Sequence, residues 1–401
     1  MTVTAIRDYT TSRDVTTPQL LSWTKQVMEG FMSRFKHSIV GKAFTLAMTV
    51  VAVSACAMLF AAVAGAATKA SPFTAATVSA TGTGYKVSWH SDAAKVSVFA
   101  THERAGLTGA TKVGSGGASA SLTVKGLATG SRWYFRLTTG GGRSVVVGQR
   151  FLNVDGVHNF RDFGGCRTAN GRWVKEGLLF RSGLWNGITT AGIATVTQLG
   201  IKTDIDLRMP SEDAAQPDPA IPGITYIADS IEPDVSSGIP GRAPAAALVE
   251  MGYAFGTYQG LYLEFGSYPT CVNGYNLMFH DFLAAAGKPT LIHCTAGDDR
   301  TGWGSYLMLR VLGVPPATAL SDYLASNVGN KAMLQSEQTY FLGLHAGLTK
   351  AQTDFFLKAA YIHAAMTAVK TTYGNFDRLV RLGLGLSKTD VRTLRATYLA
   401  S

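Results

Sequence analysis

The spacing of hydrophobic and polar positions along this chain changes near residue 151. From about 71 to 151, apolar residues alternate with polar ones in short runs, which are separated by Gly- and Ser-rich links such as GSGGAS at 114–119. A two-residue period predicts strands, because successive side chains of a strand point to opposite faces. The predicted strands are 85–91, 95–101, 120–126, 132–138 and 143–151. Short strands at this regular spacing are typical of a small antiparallel β-sandwich.

After Asn153 the pattern mixes strands with longer helical periods. The Asn170-Gly171 pair predicts a hairpin with a type I′ turn at 167–174. Further predicted strands are 201–208 and 289–294, and predicted helices are 301–312, 316–326, 350–372 and 387–399. The last helix begins with a capping box from Ser387 to Asp390. Early strands followed by long helices predict an α/β domain at 152–401, with a mixed sheet flanked by helices.

An uncharged apolar run, residues 43–67, precedes both regions. Lys36 and Lys42 come before it, and the small residues Ala64-Gly65-Ala66 close it. This layout predicts that residues 1–67 contain an N-terminal extension followed by a secretory signal. If the segment is not cut, it is predicted to be a membrane anchor instead. Met32 is the more ordinary start for such a signal. In either case the protein is predicted to be secreted or extracytoplasmic. Its predicted membrane contact is confined to residues 43–67, if they are not cleaved.

Composition and charge narrow the classes of function. The chain has 401 residues, of which 46% are hydrophobic and 15% charged, and this describes a globular protein with real cores. The net charge of +10 comes from scattered basic residues, so nucleic acid is not an expected partner. Export would leave three cysteines, Cys166, Cys271 and Cys294, in an oxidising compartment. Either Cys166 pairs with Cys271, or all three are free.

The candidate chemistry lies in LIHCTAGDDRTG at 291–302. Cys294 follows an apolar strand and precedes a predicted helix, so the loop lies at the positive end of that helix, where backbone N–H groups can converge on an anion. Gly297 allows a tight turn, and Arg300 adds a planar fork suited to phosphate oxygens. The same groups favour the thiolate of Cys294. A loop that binds an anion and also carries a nucleophilic cysteine predicts phosphoryl transfer through a cysteinyl-phosphate.

The spacing of His293-Cys294, five residues and Arg300-Thr301 resembles the signature of the protein tyrosine phosphatase superfamily. Rhodanese-type loops usually carry one fewer residue before the basic position. The chain resembles one branch in particular, the bacterial tyrosine phosphatases and dual protein/lipid phosphatases with the loop His-Cys-x-Ala-Gly-Lys-Asp-Arg-Thr-Gly. Blocks that look like this family occur in the family's order over 152–401. They are GVHNFRDFGG (156–165), LLFRSGLWNGIT (178–189), LGIKTDIDLRMPSE (199–212) and LGVPPATALSDYLASN (312–327).

The resemblance implies a role for each position of the loop. Cys294 is the nucleophile, and Asp299 is the general acid, although many superfamily members keep that acid on a separate mobile loop. Thr301 hydrogen-bonds the sulfur. Asp299 must be protonated to act, and a neighbouring acid raises its pKa while Arg300 opposes the rise. The implied phosphate-binding residues are Thr295, Ala296, Gly297, Asp298, Arg300 and Thr301, and no metal or other cofactor is implied.

Asp298 stands where the resembling family usually carries lysine. An acid there is expected to repel a second phosphate, which favours phosphotyrosine or a small phosphomonoester and leaves phosphoinositide or other lipid phosphatase activity as the alternative. A non-catalytic cell-surface binding protein is the alternative of another class. Four further charged residues either line the pocket or form structural ion pairs behind it, and these are Arg161, Asp162, Asp206 and Arg208.

The stretch LATGSRWYFRL at 127–137 resembles the corner of fibronectin type III domains. Leu127, Phe135 and Leu137 fit that pattern, whereas Trp133 replaces the usual tyrosine. The resemblance implies a fibronectin III-like sandwich at 71–151, which acts as a spacer or as a binding module.

Overall fold

The computed structural model describes residues 71–102, 109–128, 132–232, 254–344, 349–350 and 353–400. The predicted signal or anchor segment lies outside these ranges. Among the described residues, no helix combines the length and the apolar character needed to cross a bilayer.

In the described part of the N-terminal sandwich there are seven antiparallel strands, with the order β1-β2-β5 in one sheet and β4-β3-β6-β7 in the other. They are β1 (Phe73–Thr81), β2 (Gly84–Ser91), β3 (Val96–Thr101), β4 (Thr111–Gly116), β5 (Ser119–Lys125), β6 (Tyr134–Thr139) and β7 (Ser144–Gly148). The apolar alternation turns one side chain in two inward, as with the buried Val87 and Trp89 of β2. All five predicted strands are confirmed.

Strand β4 lies where the sequence predicted a link. Its sequence TKVGSG shows no apolar alternation. Gly114 and Gly116 are needed for packing, because an added Cβ would lie 2.7 Å from the side chains of Leu122 and Trp89, respectively. The Gly-rich composition that suggested a loop therefore lets an edge strand approach the sandwich core closely.

A third sheet, with five strands among the described residues, has the order β11-β10-β12-β9-β8. Its strands are β8 (Arg161–Asp162), β9 (Leu179–Ser182), β10 (Thr203–Asp206), β11 (Thr225–Ala228) and β12 (Thr290–His293). Four strands are parallel, and β8 is antiparallel to β9, so the predicted mixed sheet is confirmed. Strand β12 lies at the centre of the sheet with every residue buried.

Helices surround this sheet, and most of them follow it in sequence. They are α1 (Thr190–Gln198), α2 (Pro210–Ala215), α3 (Ala254–Ser267), α4 (Pro269–Ala285), α5 (Arg300–Leu312), α6 (Pro316–Leu324), α7 (Ser326–Gly329), α8 (Lys331–Leu344), α9 (Ala359–Tyr373), α10 (Phe376–Arg378) and α11 (Lys388–Tyr398), with a π-helical turn at Leu379–Gly383. Helix α5 ends at Gly313, whose left-handed φ of 94° a Cβ would disfavour. Helix α11 begins with the predicted capping box of Ser387 and Asp390.

Two local predictions differ from the structure. Helix α9 begins at Ala359 rather than 350, because the side chain of Asn327 bonds both the N–H and the carbonyl of Leu357, and the next residue, Lys358, is extended. The hairpin at 167–174 forms, but Gly171 has a positive φ and Asn170 does not. A type I′ turn needs positive φ at both positions, so this turn is of another type.

The sandwich packs directly on the α/β region. Trp173, from the hairpin of the α/β region, is 5% exposed and belongs to the core of the sandwich. Arg132, which lies just before β6, reaches across, forms an ion pair with Asp162 at 2.6 Å and donates a hydrogen bond to Glu176 at 3.2 Å. The change of pattern near residue 151 therefore divides the sequence, whereas the packing is continuous across it.

Replacing Glu176 with Gln is expected to flatten the pH dependence of stability. Burial and the nearby Asp162 raise the pKa of Glu176 from 4.5 to about 8. Between these values the folded chain holds a proton that the unfolded chain has lost, so stability falls as pH rises, by at most about 1.4 kcal/mol per pH unit. Glu176→Gln mimics the protonated form, so its free energy of unfolding relative to that of the wild type should increase between pH 5 and pH 8. Urea unfolding at the two pH values would measure this difference. An equal difference at both pH values would contradict this assignment.

Candidate active site

The loop of residues 294–299 joins the carboxyl end of β12 to the first residue of α5. The carboxyl ends of parallel strands β9, β10 and β12 meet at this edge, which is where α/β sheets usually bind their ligands. Cys294 is the first residue of the loop, and it is 2% exposed. The predicted arrangement of strand, cysteine loop and helix is confirmed.

The carbonyl groups of the loop are held from behind. Arg181 donates from Nη2 to the carbonyl of Gly297 at 2.6 Å, and Asn330 donates to that of Ala296 at 2.8 Å. Asn159 donates to both carbonyls at 3.2 Å. In a trans peptide the N–H points away from its C=O, so the N–H groups that follow these carbonyls face the opposite side. This is the orientation that an anion-binding loop requires.

Gly297 is required by the shape of the loop. Its φ of 71° lies in the left-handed region, and an added Cβ would overlap the carbonyl oxygen of Ser182 at the end of β9. Any other residue would therefore push the loop away from the sheet.

Arg300 is clamped by Glu212 of α2. Its Nη1 and Nη2 both donate to the Glu212 carboxylate, the second at 2.9 Å, and Thr295 Oγ1 donates to the same carboxylate at 2.7 Å. Burial opposes the ionisation of Glu212, but the hydrogen bonds and charge of Arg300 outweigh it and lower the pKa of Glu212 to about 2. The carboxylate of Glu232 also approaches Nη1, at 3.8 Å. Sequence reasoning missed both glutamates, because 88 residues separate Glu212 from Arg300.

Replacing Glu212 with Gln is expected to raise KM and lower kcat. The amide removes the charge that holds Arg300 and keeps only one acceptor oxygen, so the guanidinium loses its fixed direction. A loss of roughly tenfold in kcat/KM corresponds to 1.4 kcal/mol, within the range for one hydrogen bond to a charged group. Steady-state kinetics with para-nitrophenyl phosphate would measure it. Glu176→Gln is the matched control, because it changes a buried carboxyl that contacts Arg132 rather than Arg300, and unchanged kinetics for Glu212→Gln would contradict the clamp.

Asp299 lies at the N-terminus of α5 but makes no capping bond with its side chain. Its Oδ1 accepts a hydrogen bond from the hydroxyl of Tyr262 at 2.8 Å. Burial and the neighbouring Asp298 raise the pKa of Asp299 to about 7, against the opposing effects of Tyr262 and Arg300. A carboxyl with this pKa can hold a proton near neutral pH and donate it, which is what the predicted role requires.

Asp298 does not face the mouth of the loop, contrary to the expectation from its sequence position. Its side chain is buried, and Oδ1 accepts hydrogen bonds from Asn159 and Asn330, both at 2.8 Å. Burial raises the pKa of Asp298 to about 6. The side chain therefore fastens the loop to the segment before β8 and to the end of α7, and the expected repulsion of a second phosphate has no geometric basis. Only the backbone of Asp298 remains a candidate phosphate contact.

Thr301 also differs from expectation. Its Oγ1 is buried and has no hydrogen-bond partner in the described part of the chain, so the expected bond to the sulfur of Cys294 is not formed.

His293 is the centre of a buried charge cluster behind the loop. Its Nε2 lies 3.1 Å from Asp218 and 3.4 Å from Asp204, and Nδ1 lies 3.3 Å from the carbonyl oxygen of Cys294. Burial disfavours the charged ring, but these carboxylates raise the pKa of His293 to about 10. The three side chains are of metal-ligand type, and their ligand atoms lie within 4.8 Å of one another. Arg208 already contacts Asp218 at 2.8 Å, so cationic charge is supplied by the chain and no metal chemistry is inferred.

The other charged residues of the predicted set are structural. Arg161, Asp162, Asp206 and Arg208 are all buried, at 3% exposure or less. Arg161 bonds Asp322 and Ser326, and Asp162 bonds Arg132 from the sandwich. The three described cysteines, Cys166, Cys271 and Cys294, form no disulfide, so the possible pairing of Cys166 with Cys271 is not present.

Comparisons with known proteins bear on residues 152–400, which match the model of a family described as the tyrosine phosphatase family. A Cupriavidus necator protein with the provisional name tyrosine-protein phosphatase is 30% identical over 268 residues, which cover 64% of this chain and 90% of that protein. The triple specificity protein phosphatase PtpB of Mycobacterium tuberculosis is 29% identical over 276 residues, 61% of this chain and 98% of its own. The solved structure of P. aeruginosa TpbA is 15% identical, and the match covers 56% of this chain and 89% of TpbA. Its TM-score is 0.25, which is too low to indicate a shared fold.

Proposed function

This chain belongs to the tyrosine phosphatase family and is a protein-tyrosine-phosphatase-like hydrolase, and from that premise we propose that it hydrolyses phosphotyrosine or related phosphomonoesters through a cysteinyl-phosphate on Cys294. The observation that supports the mechanism best is the loop itself. Cys294 begins a loop whose carbonyls are tied back by Arg181, Asn159 and Asn330, and Arg300 stands at its far end.

In the first step, the thiolate of Cys294 attacks phosphorus and the bond from phosphorus to the leaving oxygen breaks. Asp299 gives its proton to that oxygen, so a neutral alcohol or phenol departs. Loop N–H groups and the guanidinium of Arg300 hold the phosphoryl oxygens, whose charge shifts in the transition state. Glu212 keeps Nη1 and Nη2 of Arg300 in place, which leaves the Nε edge for the phosphoryl group.

In the second step, a water molecule attacks the phosphorus of the cysteinyl-phosphate. Asp299, now a carboxylate, takes a proton from that water, the S–P bond breaks, and the electron pair returns to sulfur as the thiolate. Inorganic phosphate leaves, and Asp299 is again protonated. The pKa of Asp299, raised to about 7, supports both roles, because a group titrating near neutrality can donate and accept in turn.

A monoester with one phosphate fits the site better than a polyphosphorylated head group. The carboxylate of Glu212 binds Arg300 and that of Glu232 approaches it, and these two negative charges would repel additional phosphates. The buried side chain of Asp298 takes no part in this repulsion. Phosphoinositide hydrolysis remains the alternative, and a phosphotyrosine peptide is expected to have the higher kcat/KM.

The N-terminal regions complete the proposal. We propose that residues 43–67 direct export, as a cleaved signal or as an anchor, and that residues 71–151 form a fibronectin III-like module in front of a catalytic domain at 152–401. The strand orders β1-β2-β5 and β4-β3-β6-β7 support the module, since two antiparallel sheets joined in this way are characteristic of that sandwich. Cell fractionation, with the N-terminal residue of the exported protein determined, would test the export.

The direct test of function is hydrolysis by the full chain of para-nitrophenyl phosphate, a phosphotyrosine peptide and a phosphoinositide dispersed in mixed micelles. Activity on the first two is the expected result. Activity on none of them would favour a non-catalytic binding protein, and a higher kcat/KM on the phosphoinositide would favour the lipid phosphatase.

A further inference from the structure

We propose that Tyr262 is a positioning residue that orients the carboxyl of Asp299 through a chain of buried phenols ending at Tyr323. The proposal rests on the phosphatase function proposed above. It identifies a role for α3 and α6 in the chemistry, although neither helix touches the bound phosphoryl group in the proposed mechanism.

The hydroxyl groups form a directed chain. Tyr323 donates to the hydroxyl of Tyr262 at 2.7 Å, and Tyr262 donates to Oδ1 of Asp299 at 2.8 Å. Each phenol has a single proton to donate, so the bond from Tyr323 leaves the proton of Tyr262 for Asp299. Oδ1 is thereby fixed as an acceptor. When Asp299 is protonated, its proton lies on Oδ2, the oxygen left to face the leaving group.

Packing of the two phenol rings holds this hydrogen-bond chain rigidly. Tyr262 and Tyr323 are both fully buried, and their rings meet edge to face with centroids 5.9 Å apart. The Tyr262 ring also stacks on Tyr361 at 5.4 Å and meets Phe265 at 5.3 Å. A phenol packed on these sides cannot change rotamer without disturbing the core. The carboxyl of Asp299, which lies within the cysteine loop, is therefore oriented by side chains of the buried helices α3 and α6.

The hydrogen-bond chain also changes the pKa of Asp299. Burial and Asp298 raise its pKa, whereas the Tyr262 hydrogen bond lowers it by stabilising the carboxylate. Removing the hydroxyl should therefore raise the pKa of Asp299 further. The titratable and charged groups that face Asp299 are Asp298 and Arg300 of the loop, Glu232 after β11, Tyr262 of α3, Tyr323 of α6, Glu337 of α8 and Tyr361 of α9.

The test compares the full chain with Tyr262→Phe on two substrates, across pH. Phenyl phosphate needs its leaving oxygen protonated, whereas para-nitrophenolate leaves well without a proton. We expect kcat/KM for phenyl phosphate to fall about tenfold, part of the roughly 10²- to 10⁴-fold that a positioned general acid contributes. The value for para-nitrophenyl phosphate should change much less. The basic limb of kcat/KM should also move to higher pH.

Tyr398→Phe is the matched control, because it removes an equally buried phenol that donates to the carbonyl of Phe282 instead. It should leave the ratio between the two substrates and the pH profile unchanged. If Tyr262→Phe does not fold, Tyr323→Phe should move both readouts in the same direction by a smaller amount, because it weakens the same chain one step away.

Equal losses on both substrates with an unmoved basic limb would overturn the proposal and leave Tyr262 with a packing role alone. Failure of the proposed function looks different, since the wild type would then hydrolyse neither substrate.

Discussion

Replacing Cys294 with Ser is expected to abolish turnover while leaving the fold and the phosphate site in place. The expected loss in kcat is roughly 10⁴- to 10⁶-fold, the range seen when a covalent nucleophile or its base is removed. The hydroxyl is a far weaker nucleophile than the thiolate at neutral pH, since serine stays protonated where cysteine ionises. The measurement is hydrolysis of para-nitrophenyl phosphate and a phosphotyrosine peptide.

The control for this variant is Cys166→Ser, which changes another buried thiol, one that contacts Arg150 rather than the loop. It should retain activity of the wild-type order. Inorganic phosphate should still raise the thermal unfolding temperature of the Cys294→Ser protein, because loop N–H groups and Arg300 remain. Activity that survived Cys294→Ser would refute the cysteine mechanism.

Replacing Arg300 with Lys is expected to cost roughly 10³-fold in kcat/KM, the lower end of what an arginine contributes to phosphoryl transfer. Arg300 serves two partners at once in the proposed mechanism, because Nη1 and Nη2 bind Glu212 and the Nε edge is left for the phosphoryl group. A lysine ammonium is a single point charge and cannot form both paired contacts. The loss should appear in both KM and kcat, since Arg300 binds the ground state and the transition state.

The control here is Arg310→Lys, on the same helix, whose side chain donates to the carbonyl of Val314. It should leave the kinetics unchanged. A wild-type rate for Arg300→Lys would mean that the guanidinium does not contact the phosphoryl group, and the loop would then need another cation to perform the reaction.

The part of the site that is local in sequence could be predicted. Cys294, Gly297 and Arg300 lie within seven consecutive residues, and the strand and helix that flank them have clear apolar periods. Spacing alone therefore indicates an anion loop that carries a nucleophile, and the structure forms that loop.

The residues that hold the loop could not be predicted, because they come from distant segments. Asn159 and Asn330 reach the loop from positions 138 residues before and 32 residues after their partners. Glu212 belonged to a block that resembled the family, but nothing in the sequence indicates which side chain meets Arg300. The same limit explains Asp298, since sequence position does not reveal whether a loop carboxylate faces solvent or two buried amides.

The sandwich shows a related limit. Alternation identified five of the seven strands described in the sandwich. Strand β1 was not predicted, and β4 was hidden by glycines that packing requires. Contact between Trp173 and the sandwich core also has no local signal, because a tryptophan in a hairpin is compatible with many surroundings.

The most direct test of the mechanism is to trap the phosphoenzyme. The full chain is mixed with excess para-nitrophenyl phosphate, quenched in acid within milliseconds and mapped by mass spectrometry. A cysteinyl-phosphate mechanism predicts a phosphoryl group on Cys294, formed together with a burst of para-nitrophenol and before inorganic phosphate, and absent from Cys294→Ser. An active enzyme that shows no covalent phosphoryl group under these conditions, or that carries it on another residue, would contradict this mechanism.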